Sequence, residues 1–235
     1  MRPLFEAQVP KLEAAPHEIE DAACSWPQRG LYAVSDGASE SYHSASWARV
    51  LVRRFIAHPA LGAEWLAEAI TEYNTGFDRA AMSWSAQAAF DRGSFATLLG
   101  LSVSRPEERV RLLAVGDSLA VLVSGGHLVA SFPYERPEQF DARPMLLSTV
   151  SERNEALLRP ANLQAMTAEW GLKGIVNPRI MLMTDALGAW LLAEADARIE
   201  ELLTLPSAAA FSRLVIEERA AGRMRRDDCT LVVLG

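Results

Sequence analysis

Residues 94–134, SFATLLGLSVSRPEERVRLLAVGDSLAVLVSGGHLVASFPY, decide how this chain folds. Four short apolar runs stand in it, at 94–104, 109–117, 119–126 and 127–134, joined by turn residues. Gly125-Gly126 between the last two is a hairpin signal. Parallel neighbours would need crossovers of about a dozen residues or more. The spacings here are too short for that throughout, so the runs predict antiparallel strands.

Working outward, GLYAVSD (30–36), PRIMLMTD (178–185) and RRDDCTLVVLG (225–235) contain further strands. HSASWARVLVRRFIAH (43–58) puts Trp47, Val50, Leu51 and Phe55 on one helical face, with Ser44 as the expected cap. The stretch 62–84 continues as a second helical pattern, and SAAAFSRLVIEERAA (207–221) is another helix. Strands cluster together and helices cluster together. This favours an antiparallel α+β arrangement over a doubly wound parallel sheet.

The 235 residues are enough for one large domain or two small ones; half are hydrophobic and 23% are charged, as in a soluble globular protein. A net charge of -7 argues against a nucleic-acid partner, which calls for a basic face. Cys24 and Cys229 are far apart and in no metal-binding spacing; two buried thiols are expected, with a disulfide as the alternative. The first residues lack the apolar segment of a signal peptide. The most apolar region, Val110–Phe132, is broken by Arg111, Gly116-Asp117 and Gly125-Gly126. No uncharged run reaches the ~18 residues of a membrane span. The expectation is a cytoplasmic protein with no membrane partner.

One event recurs. Asp36 follows YAVS, Asp117 follows LLAVG, Asp185 follows IMLMT, and Asp227-Asp228 precede CTLVVL. Taken singly, each is read as a turn-capping residue. If the strand tips converge, they form an oxygen-only site suited to Mg²⁺ or Mn²⁺ rather than zinc.

The order and context of these blocks resemble the metal-dependent protein phosphatases of type 2C, the PPM family. Glu20-Asp21-Ala22 is similar to its early acidic motif, and LYAVSDGASE (31–40) to its strand followed by Asp-Gly. GSFATLLGL (93–101) resembles its Gly-Ser-x-Ala strand, and LLAVGDSLAVLV (112–123) its Gly-Asp-Ser hairpin. LMTDALGAW (182–190) and DDCTLVVL (227–234) resemble its last two motifs. The resemblance implies a four-layer α-β-β-α sandwich of two antiparallel sheets flanked by helices. It also implies a single domain over 1–235, with a variable flap-like segment around 141–174.

By the same resemblance, Asp36 would bridge two Mn²⁺ or Mg²⁺ ions and the Gly37 carbonyl would help hold one of them. Asp185 and Asp227 would complete the ligands of the other. Asp117 would be a candidate for a weaker third ion. Glu20 and Asp21 would act mostly through waters, and Asp228, in place of the usual asparagine, would be the lesser ligand of its pair. The implied activity is hydrolysis of phosphoserine or phosphothreonine in a protein through a water shared by the metals, with a Ser/Thr kinase as a possible further partner. Ser35 and Ser94 are read as structural, since no covalent intermediate is required.

The departures matter as much. Pro16, beside His17, stands where the family often carries a phosphate-binding arginine, so no phosphate-binding residue is assigned. Ala38, Ser39 and Glu40 replace the residues usual after Asp-Gly; Leu119 follows Gly-Asp-Ser, and Ala186 replaces a glycine. His43 is read as a surface histidine at the mouth of a helix. Trp170, Arg153 and Arg159 fall in the flap-like segment. Two alternatives therefore stay open: a pseudophosphatase that binds a phosphoprotein or kinase without turnover, and a phosphatase of small molecules.

Overall fold

The computed structural model describes residues 1–104 and 108–235. In chain order its elements are β1 (Pro3–Val9), β2 (Ala22–Trp26), β3 (Leu31–Ser35), α1 (Ser44–Ala57), α2 (Ala63–Thr75) and α3 (Trp84–Arg92). Next come β4 (Phe95–Ala96), β5 (Leu98–Ser104), β6 (Arg109–Val115), β7 (Leu119–Ser124), β8 (His127–Phe132) and β9 (Leu147–Ser148). The chain continues with α4 (Pro160–Ala165), β10 (Thr167–Gly171), β11 (Arg179–Met183), α5 (Asp185–Ala193), α6 (Ala195–Leu203), α7 (Ala208–Ala220) and β12 (Cys229–Leu234).

Among the described residues the strands form two five-stranded sheets, ordered β1-β12-β11-β7-β8 and β10-β6-β5-β3-β2, with β4 and β9 as a small separate pair. Every ladder is antiparallel. The central strands are apolar on both faces because both faces are covered. On β3, Tyr32 and Val34 point between the sheets, while Leu31 and Ala33 pack toward α1 and α2. On β12, Val232 and Leu234 enter the same inter-sheet layer, while Cys229, Leu231 and Val233 meet α5, α6 and α7. The period-2 alternation thus sends residues to two different cores. The result is the expected α+β sandwich, with helices outside each sheet.

Several details differ from the sequence reading. GSFATLLGL is not one strand: it breaks at Thr97, so that β4 pairs with β9 while β5 pairs with β3 and β6. Ser44 does not cap α1. It is the first helical residue, its hydroxyl donates to Glu20 at 2.7 Å, and His43 takes the capping position with a left-handed φ of 48°. Cys229 is buried but Cys24 only half-buried, and both are free thiols. Residues 141–174 divide in two: β9, a 3-10 turn and α4 precede β10, a regular edge strand on which Trp170 pairs with Val110. Among the described residues no helix is long and apolar enough to cross a membrane.

Candidate metal centre

The two sheets present one common end. There the chain leaves β3 into Asp36, leaves β6 into Gly116-Asp117, leaves β11 into Thr184-Asp185, and enters β12 from Asp227-Asp228. Asp36 is fixed through its backbone. Its N–H donates to the Thr97 hydroxyl and its carbonyl accepts the Thr97 N–H, both at 2.8 Å. The Thr97 hydroxyl also bonds Ser118 at 2.7 Å, which ties the Asp36 turn to the Asp117 turn. Gly37 has no room for a side chain: a Cβ there would stand 2.8 Å from the Glu20 carbonyl oxygen and from the Ser44 carbonyl carbon. Gly116 adopts φ 96°, which favours glycine, and a Cβ would strike Thr97 at 2.6 Å.

Asp21 is buried. One of its oxygens accepts the hydroxyls of Thr184 (2.9 Å) and Thr230 (2.6 Å); the other, Oδ1, has no hydrogen-bond partner. Asp228 is buried as well and uses both oxygens, accepting the backbone N–H of Lys11 at 2.6 Å and of Glu20 at 2.7 Å. It therefore pins the β1–β2 connection to the start of β12. The Lys11 ammonium donates to the Glu20 carboxylate and, at 2.6 Å, to the Ser39 hydroxyl. Burial opposes the Lys11 charge, but Glu20, Asp228 and Asp227 outweigh it and hold the ammonium above its ordinary pKa. Glu20 is held below the ordinary glutamate range: burial opposes this, and hydrogen bonds from Lys11, Ser39 and Ser44 prevail.

The carboxylates sense one another. Burial, then Asp21, Asp185, Asp227 and Asp117, push the Asp36 carboxyl well above the usual range. Burial and the charges of Asp228 and Asp185 do the same to Asp21, against the hydrogen bonds of Thr230 and Thr184. Asp227 rises through burial and Asp185. Asp117 is pushed up to about 6, by burial and then by Asp185, with Arg225 opposing. Asp185 rises through burial, against the N–H of Ala186 and the charge of Arg225.

These features fit a hard cation. Acidic groups crowd one polar end, one buried oxygen of Asp21 is orphaned, and an otherwise costly pile-up of charge would be relieved by positive ions. Among the described residues no group of three or more acidic, histidine or cysteine side chains is placed to hold a metal ion.

The acidic residues singled out in the sequence lie at this end or on its connections, whereas Trp170, on β10 opposite Val110, lies toward the other end of β6. Asp36, Asp117 and Asp185 follow the ends of β3, β6 and β11, and Asp227 precedes β12. Ser35 and Ser94 are buried and hydrogen-bonded, to the Thr97 carbonyl and to Tyr73 respectively. Pro16 and His17 lie in an exposed 3-10 turn. Sequence reasoning passed over Lys11, Thr97, Thr184, Thr230 and Arg225. The hydroxyl residues lie inside recognised blocks, and their position beside an aspartate or at its pairing partner is the signal that was available.

No family model matches the chain. No curated protein matches it either. Solved structures do. The photosystem II phosphatase PBCP is 16% identical, with 97% of each chain covered and a TM-score of 0.61. The catalytic domain of the serine/threonine protein phosphatase PstP, in complex with two manganese ions, is 19% identical over 97% of this chain and 96% of that one, with a TM-score of 0.58. A bacterial serine phosphatase is 16% identical over 92% of this chain and 91% of its own, with a TM-score of 0.56. The chain has the fold of the PPM-type serine/threonine phosphatases.

Proposed function

We propose that this chain is a Mn²⁺- or Mg²⁺-dependent phosphatase acting on phosphoserine or phosphothreonine in proteins. The observation that carries the reading is the placement of Asp36, Asp117, Asp185 and Asp227 at the tips of β3, β6, β11 and β12, at one end of the two sheets. Asp36, Asp185, Asp227 and the Gly37 carbonyl would hold two ions, and Asp117 a weaker third. Bound there, such ions supply an activated water and offset charge on the phosphoryl oxygens. The chain's own part is positional. Thr97 holds the Asp36 turn, Asp228 and Lys11 hold the Glu20 loop, and the Asp21 oxygen left without a partner is free to accept a water. Manganese in the PstP structure supports the choice of cation.

The test is phosphate release from a phosphopeptide with Mn²⁺, with EDTA, and in Asp36→Asn and Asp227→Asn. Metal-dependent release lost in both variants supports the reading; release that persists in EDTA refutes it. A second reading, a phosphoprotein- or kinase-binding pseudophosphatase, draws on Pro16 and on the engagement of Lys11 with Glu20. Tight phosphopeptide binding with no turnover at saturating Mn²⁺ would favour it. Hydrolysis of an aryl phosphate but of no phosphopeptide would favour the small-molecule alternative. A cytoplasmic location and a kinase partner belong to the same proposal.

A further inference from the structure

Beside the carboxylate cluster lies a cleft of about 1130 Å³, which reaches it at Ala38 and Asp227. Three arginines line it: Arg92 at the end of α3, and Arg143 and Arg153 from the segment around β9. They are exposed, and among the described residues none of the three is in an ion pair. Other arginines, among them Arg54, Arg79, Arg109, Arg111, Arg223 and Arg225, sit against carboxylates. The lining carboxylates are Glu40 and Asp227, and Asp227 belongs to the proposed metal site. A chain of net charge -7 thus gathers uncompensated cations around one opening.

The cleft is larger than a phosphoserine needs, since pockets of about 300–1,000 Å³ suffice for whole drug-sized ligands. The surplus is room for flanking residues. Arg153 lies over the Phe95 ring at 5.3 Å, which supports its guanidinium at the cleft wall. Arginine forks bind carboxylates bidentately. We propose that the cleft selects phosphorylated segments whose flanking residues are acidic. The inference rests on the phosphatase reading for the placement of the phosphate and adds the class of segment around it.

The experiment uses the full chain with Mn²⁺ and three fluorescent phosphoserine peptides of equal length, flanked by glutamates, alanines or lysines. Anisotropy gives affinity, and phosphate release is followed on the same peptides. The expected order is acidic, neutral, basic, with steps of up to about fivefold for each exposed charge pair engaged, compressed at high salt. Arg143→Glu/Arg153→Glu should reverse the order, and Arg92→Glu should weaken it. Arg213→Glu, on the exposed side of α7, makes the same type of charge change outside the cleft and should leave the order intact. Equal affinities, or an order that survives the double variant, overturn the inference. An intact order with no metal-dependent release from any peptide supports it while refuting the phosphatase reading.

Discussion

Asp228 accepts the backbone amide of Glu20 at 2.7 Å across 208 positions of sequence, and spends its other oxygen on the amide of Lys11. One buried carboxylate thus fixes the loop that carries Glu20 and Asp21 against the start of β12. Hydrogen bonds to a charged group contribute about 1.5–3 kcal/mol each. Asp228→Asn keeps one acceptor and turns an NH₂ group toward the other amide. We expect it to lower unfolding free energy by about 2 kcal/mol, and Asp228→Ala by more. Urea titration with EDTA present measures both; an unchanged midpoint for the alanine variant would contradict this role.

Thr97 is the corresponding staple on the other sheet. Thr97→Val preserves shape but leaves the Asp36 amide and the Ser118 hydroxyl without their partner. A stability loss of about 1–3 kcal/mol is expected. Because the Asp36 turn loosens, the Mn²⁺ concentration for half-maximal thermal stabilisation should rise by about tenfold or more. A variant that loses stability while binding Mn²⁺ normally would confine Thr97 to packing.

Gly37 gives a steric prediction. In Gly37→Ala the new methyl meets the Glu20 carbonyl oxygen and the Ser44 carbonyl carbon at 2.8 Å, and both are backbone atoms unable to rotate away. Overpacking of this kind costs about 1–3 kcal/mol. The Asp36 turn must shift, so Mn²⁺-dependent phosphate release should fall as well. Calorimetry and phosphate release on one preparation test the two effects together.

The raised carboxyl groups give the metal-free protein an unusual pH profile. Asp117 moves from 3.8 to about 6 on folding. Between these values the folded state binds more protons than the unfolded state, so stability falls as pH rises. This group alone contributes roughly 3 kcal/mol to the loss by neutrality. Asp36, Asp21, Asp185 and Asp227 shift in the same direction. In EDTA the melting temperature should fall from pH 5 to pH 7, with Mn²⁺ raising it more at pH 7, where fewer protons compete. A melting temperature that rises across that window in EDTA would refute the assignment.

How much of this was legible in the sequence depends on the distance over which each feature is specified. The short apolar runs within 94–134, their close spacing and the glycine pair at 125–126 are local signals, and they pointed to the strands and their antiparallel sense. The aspartates after YAVS, LLAVG and IMLMT pointed to one end of the sandwich because strand tips leave little freedom. The break at Thr97 was not legible, since Phe95-Ala96 turn aside to pair with Leu147-Ser148, about fifty residues away in sequence. Ser44 looked like a cap on local grounds, but Glu20 claims its hydroxyl. Lys11 carried no local pattern, and its role follows only from the return of β12 beside β1. β1, β2, α3, β9, β10, α5 and α6 were not read from the sequence; α5, buried along much of its length, shows little of the one-sided periodicity that marks a surface helix.

Asp36 hangs from one sheet, while Asp185 and Asp227 belong to the other. An ion held between them would therefore be a cross-link between layers, with the same topological effect as a covalent staple. The layer between the sheets, which includes Val34 and Leu182, would then be held by two different means, apolar packing within it and an ion at its end.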